Sequence, residues 1–94
     1  MSVRRFTWDE AKRQENVRKH AIDFADLPQV FEGKVLTSRD DGDHYNEERF
    51  VSIGLLRHIV VLIAHTETDD EIRIIHARKA NRETARHYFE YFGN

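Results

Sequence analysis

Five cations gather near the C-terminus: Arg73, Arg78, Lys79, Arg82 and Arg86. An arginine fork holds a phosphate through two parallel bonds and keeps its charge at any relevant pH. Arg78 and Arg82 flank a joint, Ala77-Arg78-Lys79-Ala80-Asn81-Arg82, between a β-branched run (Ile72, Ile74, Ile75) and an apolar helical stripe (Ala85, Tyr88, Phe89, Phe92). Asn81 is a good N-cap, because its side-chain oxygen accepts from the open N–H groups of the first turn. A strand end, a helix N-terminus and fixed cations together suit a phosphate. Arg82 and Arg86 stand four apart, where like charges mildly repel, which favours an external use for them. Solvated pairing with Glu83 or Glu90 is the simpler account.

Two histidines add proton-transfer chemistry near neutral pH. His65 is expected at a strand end before a turn, where a side chain can leave the sheet. His76 stands two residues before Arg78 and, in a regular strand, shares its face. For each, a half-buried strand histidine bonded to backbone is the bland alternative. Tyr88 is most simply a core residue, with a hydroxyl able to act as acid or phosphate donor. No His-x-x-x-His or comparable ligand spacing occurs, and Asp40–Asp43 lacks the full calcium-loop pattern, so no metal or other cofactor is expected.

The elements that must position these groups read as follows. Thr7 and Glu10 have capping-box spacing, with Asp9 a competing cap, before a helix from about Asp9 to Lys19 with a weak apolar face. Lys19 and His20 close it, where cations suit the negative end of the dipole. Phe24, Leu27 and Phe31 predict a short second helix; Pro28 fits only its first turn, with Asp26 as a possible cap, and Gly33 ends it. Strands are expected at Val35–Ser38, Arg49–Leu56, His58–His65 and Ile72–Arg78. Turns fall at Asp40–Asp43, around Leu56-Arg57, and at Glu67–Glu71. A helix over the last residues closes the chain. The expected fold is α+β: a small antiparallel sheet of three to four strands, two N-terminal helices and one C-terminal helix, packed mainly on one face.

The totals bound the reading. Ninety-four residues, 39% hydrophobic and 34% charged, make one small domain (1–94) with a thin core that a partner would help to cover. With no cysteine there is no disulfide framework. No membrane-length apolar run or signal-peptide order occurs, so a cytosolic protein is expected. The net charge of −2 does not suggest a polyanion binder; its distribution allows one, although charge alone favours ordinary solvated faces. Residues 4–20 carry six cations and three acids, residues 71–87 five and two, and residues 23–50 three and eight.

The chain resembles the BrnT family of ribonuclease toxins of type II toxin–antitoxin systems. The resemblance rests on Phe6-Thr7-Trp8-Asp9-Glu10-Ala11-Lys12, Asn16, Lys19-His20, Phe24, Val30-Phe31, Glu48-Arg49, Gly54, His65-Thr66, Arg73 to Ala80, Arg82 and Tyr88. It implies a RelE-like fold, RNA cleavage with growth arrest, and neutralisation by a BrnA-like antitoxin that also binds operator DNA, hence a hetero-oligomer. His76 stands where the family commonly has a serine, so no role for it is carried over.

The chemistry expected is metal-independent attack of a ribose 2′-OH on its own 3′-phosphate. Arg73 and Arg78 would stabilise the phosphorane charge, and His65, with Tyr88 second, would move protons. Lys19, His20, Arg49, Lys79, Arg82 and Arg86 would hold RNA. Strict alternation puts Arg73 and Arg78 on opposite faces, so their cooperation requires a bulge or a re-aimed strand end. The rival reading is a non-catalytic RNA- or protein-binding module using the same joint; a purely structural subunit leaves the cations unexplained.

Overall fold

The computed structural model describes residues 4–40, 42 and 47–93. Most of the acidic turn expected at Asp40–Asp43 and of the polar stretch after it lies outside these residues. Arg5–Trp8 forms a strand, β1, before helix α1 (Glu10–His20) begins. Asp9, in extended conformation, caps α1 by accepting from the Lys12 N–H at 3.1 Å. Asp9 is therefore the cap, and Thr7 is a strand residue whose hydroxyl donates to Glu71 at 2.7 Å. The helix ends at Ala21, in the left-handed region at φ 58°.

The second helical segment is split. Asp23 caps a 3-10 turn over Phe24–Asp26, and Pro28 then opens a four-residue helix, α2 (Pro28–Phe31), with Leu27 at its N-cap. Strands β2 (Leu36–Asp40), β3 (Arg49–Leu56), β4 (Ile59–Glu67) and β5 (Glu71–Lys79) follow, and helix α3 (Arg82–Phe92) closes the order. Asn81 caps α3 by accepting from Thr84 N–H at 2.8 Å, and Gly93 ends it at φ 74°. The β3–β4 hairpin turns through Arg57, at φ 58°, and His58.

The sheet has five strands in the order β1-β5-β4-β3-β2. It is mixed, because β1 pairs parallel with β5 while the other pairings are antiparallel. The expectation of three to four antiparallel strands is corrected here. The extra strand comes from the N-terminus and brackets β5 from a great sequence distance.

Helices also pack on both faces, not mainly on one. Alternation along each strand makes two faces. One carries Leu56, Val61, Ile63, Ile72, Ile74 and Ala77, and it packs with Ile22, Phe24, Leu27 and Val30 from the segment around α2. The other carries Val60, Leu36, Ile53 and Leu55, and is covered by Ala85, Tyr88, Phe89 and Phe92 of α3. Helix α3 covers only part of this second face. Val51, Leu62 and Ala64, further along it, remain half-buried.

Among the described residues no helix is long and apolar enough to cross a membrane.

Candidate active site

The exposed part of the second face is built around an irregularity in β5. Leu62 pairs with Arg78 and Ala64 with His76, but the next residue, His65, pairs with Ile74. Ile75 is thereby left as an extra residue, a β-bulge. Thr66 pairs with Arg73 beyond it. Leu62, Ala64 and Thr66 share one face of β4, so their partners Arg78, His76 and Arg73 share it as well. The bulge that cooperation between Arg73 and Arg78 requires is present.

His76 and Arg78 border a cavity of about 470 Å³ lined also by Asp40, Arg49, Val51, Leu62, Ala64 and Ile75. Its floor is apolar and its cations are arginines. A second cavity, of about 250 Å³, meets it at Ile75 and His76 and is lined otherwise by Lys12, Glu15, Asn16, Lys19 and His20 of α1. His76 stands on the divide. Its ring lies 5.9 Å from the ring of His20, edge to face. Burial pushes the His76 imidazole below its ordinary value, its own backbone bond opposes the shift, and the charges of His20 and Arg78 add to it. Its Nδ1 is buried without a hydrogen-bond partner. The ring as a whole is half-buried and reaches both cavities.

Arg73 is exposed on the same face, with its partner Thr66 half-buried. Arg86 lies beside Ile53, in a neighbouring cavity completed by Glu83, Thr84, His87 and Glu90 of α3. Arg82 is exposed in the first turn of that helix. Lys79 pairs with Val61 and so belongs to the register of the opposite face, exposed at the strand end. The Lys19 ammonium is shared with Glu15 at 3.6 Å.

Two expected proton carriers are placed elsewhere. β4 continues two residues past His65, so that residue is interior to the strand, on the core face, and 0% exposed. Its Nε2 lies 2.8 Å from the Ser52 hydroxyl, which lies 2.7 Å from that of Thr37. Phe31 meets the ring edge-on and Phe50 stacks on it. The Glu67 carboxylate at 3.7 Å is too distant for a hydrogen bond and is held by Arg4. Burial outweighs its pull and lowers the His65 pKa, so the ring is neutral. It has no route to a substrate. Tyr88 is 3% exposed and its hydroxyl donates to the Lys34 carbonyl at 2.7 Å. Burial raises its pKa. Both side chains are buried and hydrogen-bonded within the fold, whereas His76, the other histidine singled out in the sequence, lines both cavities. Its spacing from Arg78 was the available signal.

Among the described residues no group of three or more His, Cys, Asp and Glu side chains gathers in a way that could hold a metal ion.

An open mixed sheet with a bulged strand presenting a histidine between arginines defines a small α+β protein with an arginine-lined cleft. The family model described as the ribonuclease toxin BrnT of type II toxin–antitoxin systems matches residues 8–84, and the chain belongs to that family. The chain is also similar to a solved structure, the 1.1 Å crystal structure of the Brucella abortus ribonuclease toxin BrnT. The TM-score is 0.70 at 28% identity, over 85% of this chain and 100% of that one. No curated protein matches the chain.

Proposed function

We propose that the protein is an endoribonuclease toxin whose cleft on the open sheet face cuts single-stranded RNA. The observation that carries this reading is the bulge at Ile75, which lays Arg73, His76 and Arg78 on one accessible face. His76 takes the proton of a ribose 2′-OH as the 2′-oxygen attacks the adjacent phosphorus. The bond from phosphorus to the 5′-oxygen breaks, and His20 returns a proton to that oxygen. The products are a 2′,3′-cyclic phosphate and a 5′-OH. Arg78, Arg73 and Arg49 stabilise the charge that grows on the phosphorane oxygens. The apolar floor of Val51, Leu62 and Ala64 suits an unpaired base, and Lys12, Lys19 and His20 suit the neighbouring phosphate. The scheme uses no metal.

Family membership supports an antitoxin as partner. A BrnA-like antitoxin with an acidic or amphipathic segment over Arg49 and Arg78 would silence the cleft, and would carry the operator-DNA contacts itself.

The test is cleavage of a defined single-stranded RNA by the purified protein with EDTA present, reading the 3′ ends. Cyclic phosphate ends that fall about 100- to 1,000-fold in Arg78→Ala support the reading, the scale being that of losing one oxyanion donor. A folded Arg78→Ala protein that cuts normally overturns it. Uncut RNA with shifted mobility, with and without translating ribosomes, makes the face a binding surface instead.

A further inference from the structure

We infer that Asn16 is a positioning residue: it holds the bulged segment of β5 in the register that presents His76 and Arg78, and locks α1 to it. Asn16 is the buried residue of α1, at 5% exposure, on a helix whose other positions face water or lie half-buried. Its Oδ1 accepts from the Ala77 N–H at 3.0 Å, across 61 positions of sequence. Its Nδ2 donates to the Ile22 carbonyl at 2.9 Å, just past the left-handed turn at Ala21.

The need for this clamp follows from the sheet. Strand β1 pairs with β5 only from Glu71 to Ile74, so beyond Ile74 that edge of β5 has no strand beside it. The bulge sits at the next residue. A bulge interrupts the ladder and leaves backbone groups to be satisfied by other means. The Asn16 amide replaces the absent strand at Ala77, the residue between His76 and Arg78. The same side chain fixes the helix that carries Lys19 and His20, and thus the separation of the His20 and His76 rings. One amide therefore sets the geometry between the two cavities, while it touches no substrate atom in the proposed reaction. The clamp stands on geometry alone; its effect on rate rests on the ribonuclease reading.

Three measurements on the whole protein test it. In Asn16→Ala, kcat for RNA cleavage falls about 100-fold, the scale of an ångström-size misplacement, with KM far less affected. The His76 imidazole, titrated by NMR without RNA, moves up towards the ordinary value of about 6.5 as water reaches the freed segment. Asn16→Asp keeps an acceptor for the Ala77 N–H and recovers part of the lost kcat, while its carboxylate itself holds the His76 value up. A folded Asn16→Ala protein with wild-type kcat and an unchanged His76 titration overturns the inference. If Asn16→Ala does not fold, hydrogen exchange in the wild type decides. An Ala77 amide protected like a paired strand amide supports the clamp, and one exchanging like an exposed loop amide refutes it. If the wild-type protein cuts no RNA, the titration and the exchange still judge Asn16, so failure of one idea is not failure of the other.

Discussion

The sharpest consequence of the proposed reaction is a pH-dependent cleavage rate, because in that reaction His76 must be neutral to act. Its pKa is lowered, chiefly by burial, so the acid limb of the kcat/KM profile should fall below the ordinary histidine value of about 6.5. The groups that surround it are Lys12, Glu15, Lys19 and His20 on α1, Arg78 on its own strand, Arg49 on β3 and Asp40 on β2. His20 is the member that can be neutralised without touching the sheet. Two unit charges at the 5.9 Å ring separation repel by about 0.7 kcal/mol at the dielectric constant of water, or about half a pH unit. Removing the cation makes protonation of His76 easier. The acid limb in His20→Gln should therefore move to higher pH by about that amount, and the overall rate should fall with loss of the leaving-group acid. His76→Ala should lose the limb altogether, with a rate loss on the order of 100- to 10,000-fold. The assay is initial cleavage rate of a fluorescent single-stranded RNA across the pH range. An acid limb above 6.5, or one that survives in His76→Ala, refutes the reasoning.

Three further outcomes follow from the packing. Gly54→Ala should cost about 1–3 kcal/mol in urea unfolding, because the new Cβ would lie 2.6 Å from Val30 Cγ1 and 2.8 Å from Val35 Cγ1. Those methyls sit on stiff β-branched side chains that cannot swing aside. Tyr88→Phe gives up the bond to the Lys34 carbonyl and should lower stability by about 1 kcal/mol while leaving cleavage intact; a folded variant that no longer cuts would return Tyr88 to the chemistry. Ser52→Ala strips the buried His65 Nε2 of its partner and should cost about 1–3 kcal/mol by thermal or urea melting. The acid stability of the wild type should reflect His65 and His76 together. Both pKa values are lowered in the fold, so the unfolded chain binds more protons below about pH 6.5. Stability is then full above that pH and is lost as pH falls through the folded values. Melting temperatures flat between pH 7 and 5 would contradict this.

How much was legible in the sequence depended on the range of the interaction that decides each element. Asn81 and the β3–β4 hairpin are local devices: Asn is a capping residue, and the two strand runs stand close enough in sequence to pair through a short turn. The irregular β5 was legible indirectly, since Arg73 and Arg78 could share a face only if alternation broke. What local pattern could not carry was β1. Four residues, Arg-Phe-Thr-Trp, look like the entrance to a helix, and their strand partner lies more than sixty positions away. His65 was misplaced for a related reason: β4 runs to Glu67, and the two residues beyond the expected end turn an exit position into an interior one. Asn16 gave no local signal at all, because its partner is a backbone group on the far side of the chain. The strand residues that share the open face, Arg49, Arg73, His76 and Arg78, are those whose side-chain direction follows from strand period once the bulge is known.

The parallel pairing of the first strand with the last also bears on when the protein can exist as a folded object. Arg5 to Trp8 are synthesised more than sixty residues before their hydrogen-bonding partners, Glu71 to Ile74. At about 5–20 residues per second the first strand waits on the order of seconds without a partner. The strand that carries His76 and Arg78 is flanked by β1 on one side and β4 on the other, so the face they share cannot form until β5 itself has been synthesised. A nascent chain of this topology lacks the cleft until its fifth strand emerges and pairs with both neighbours.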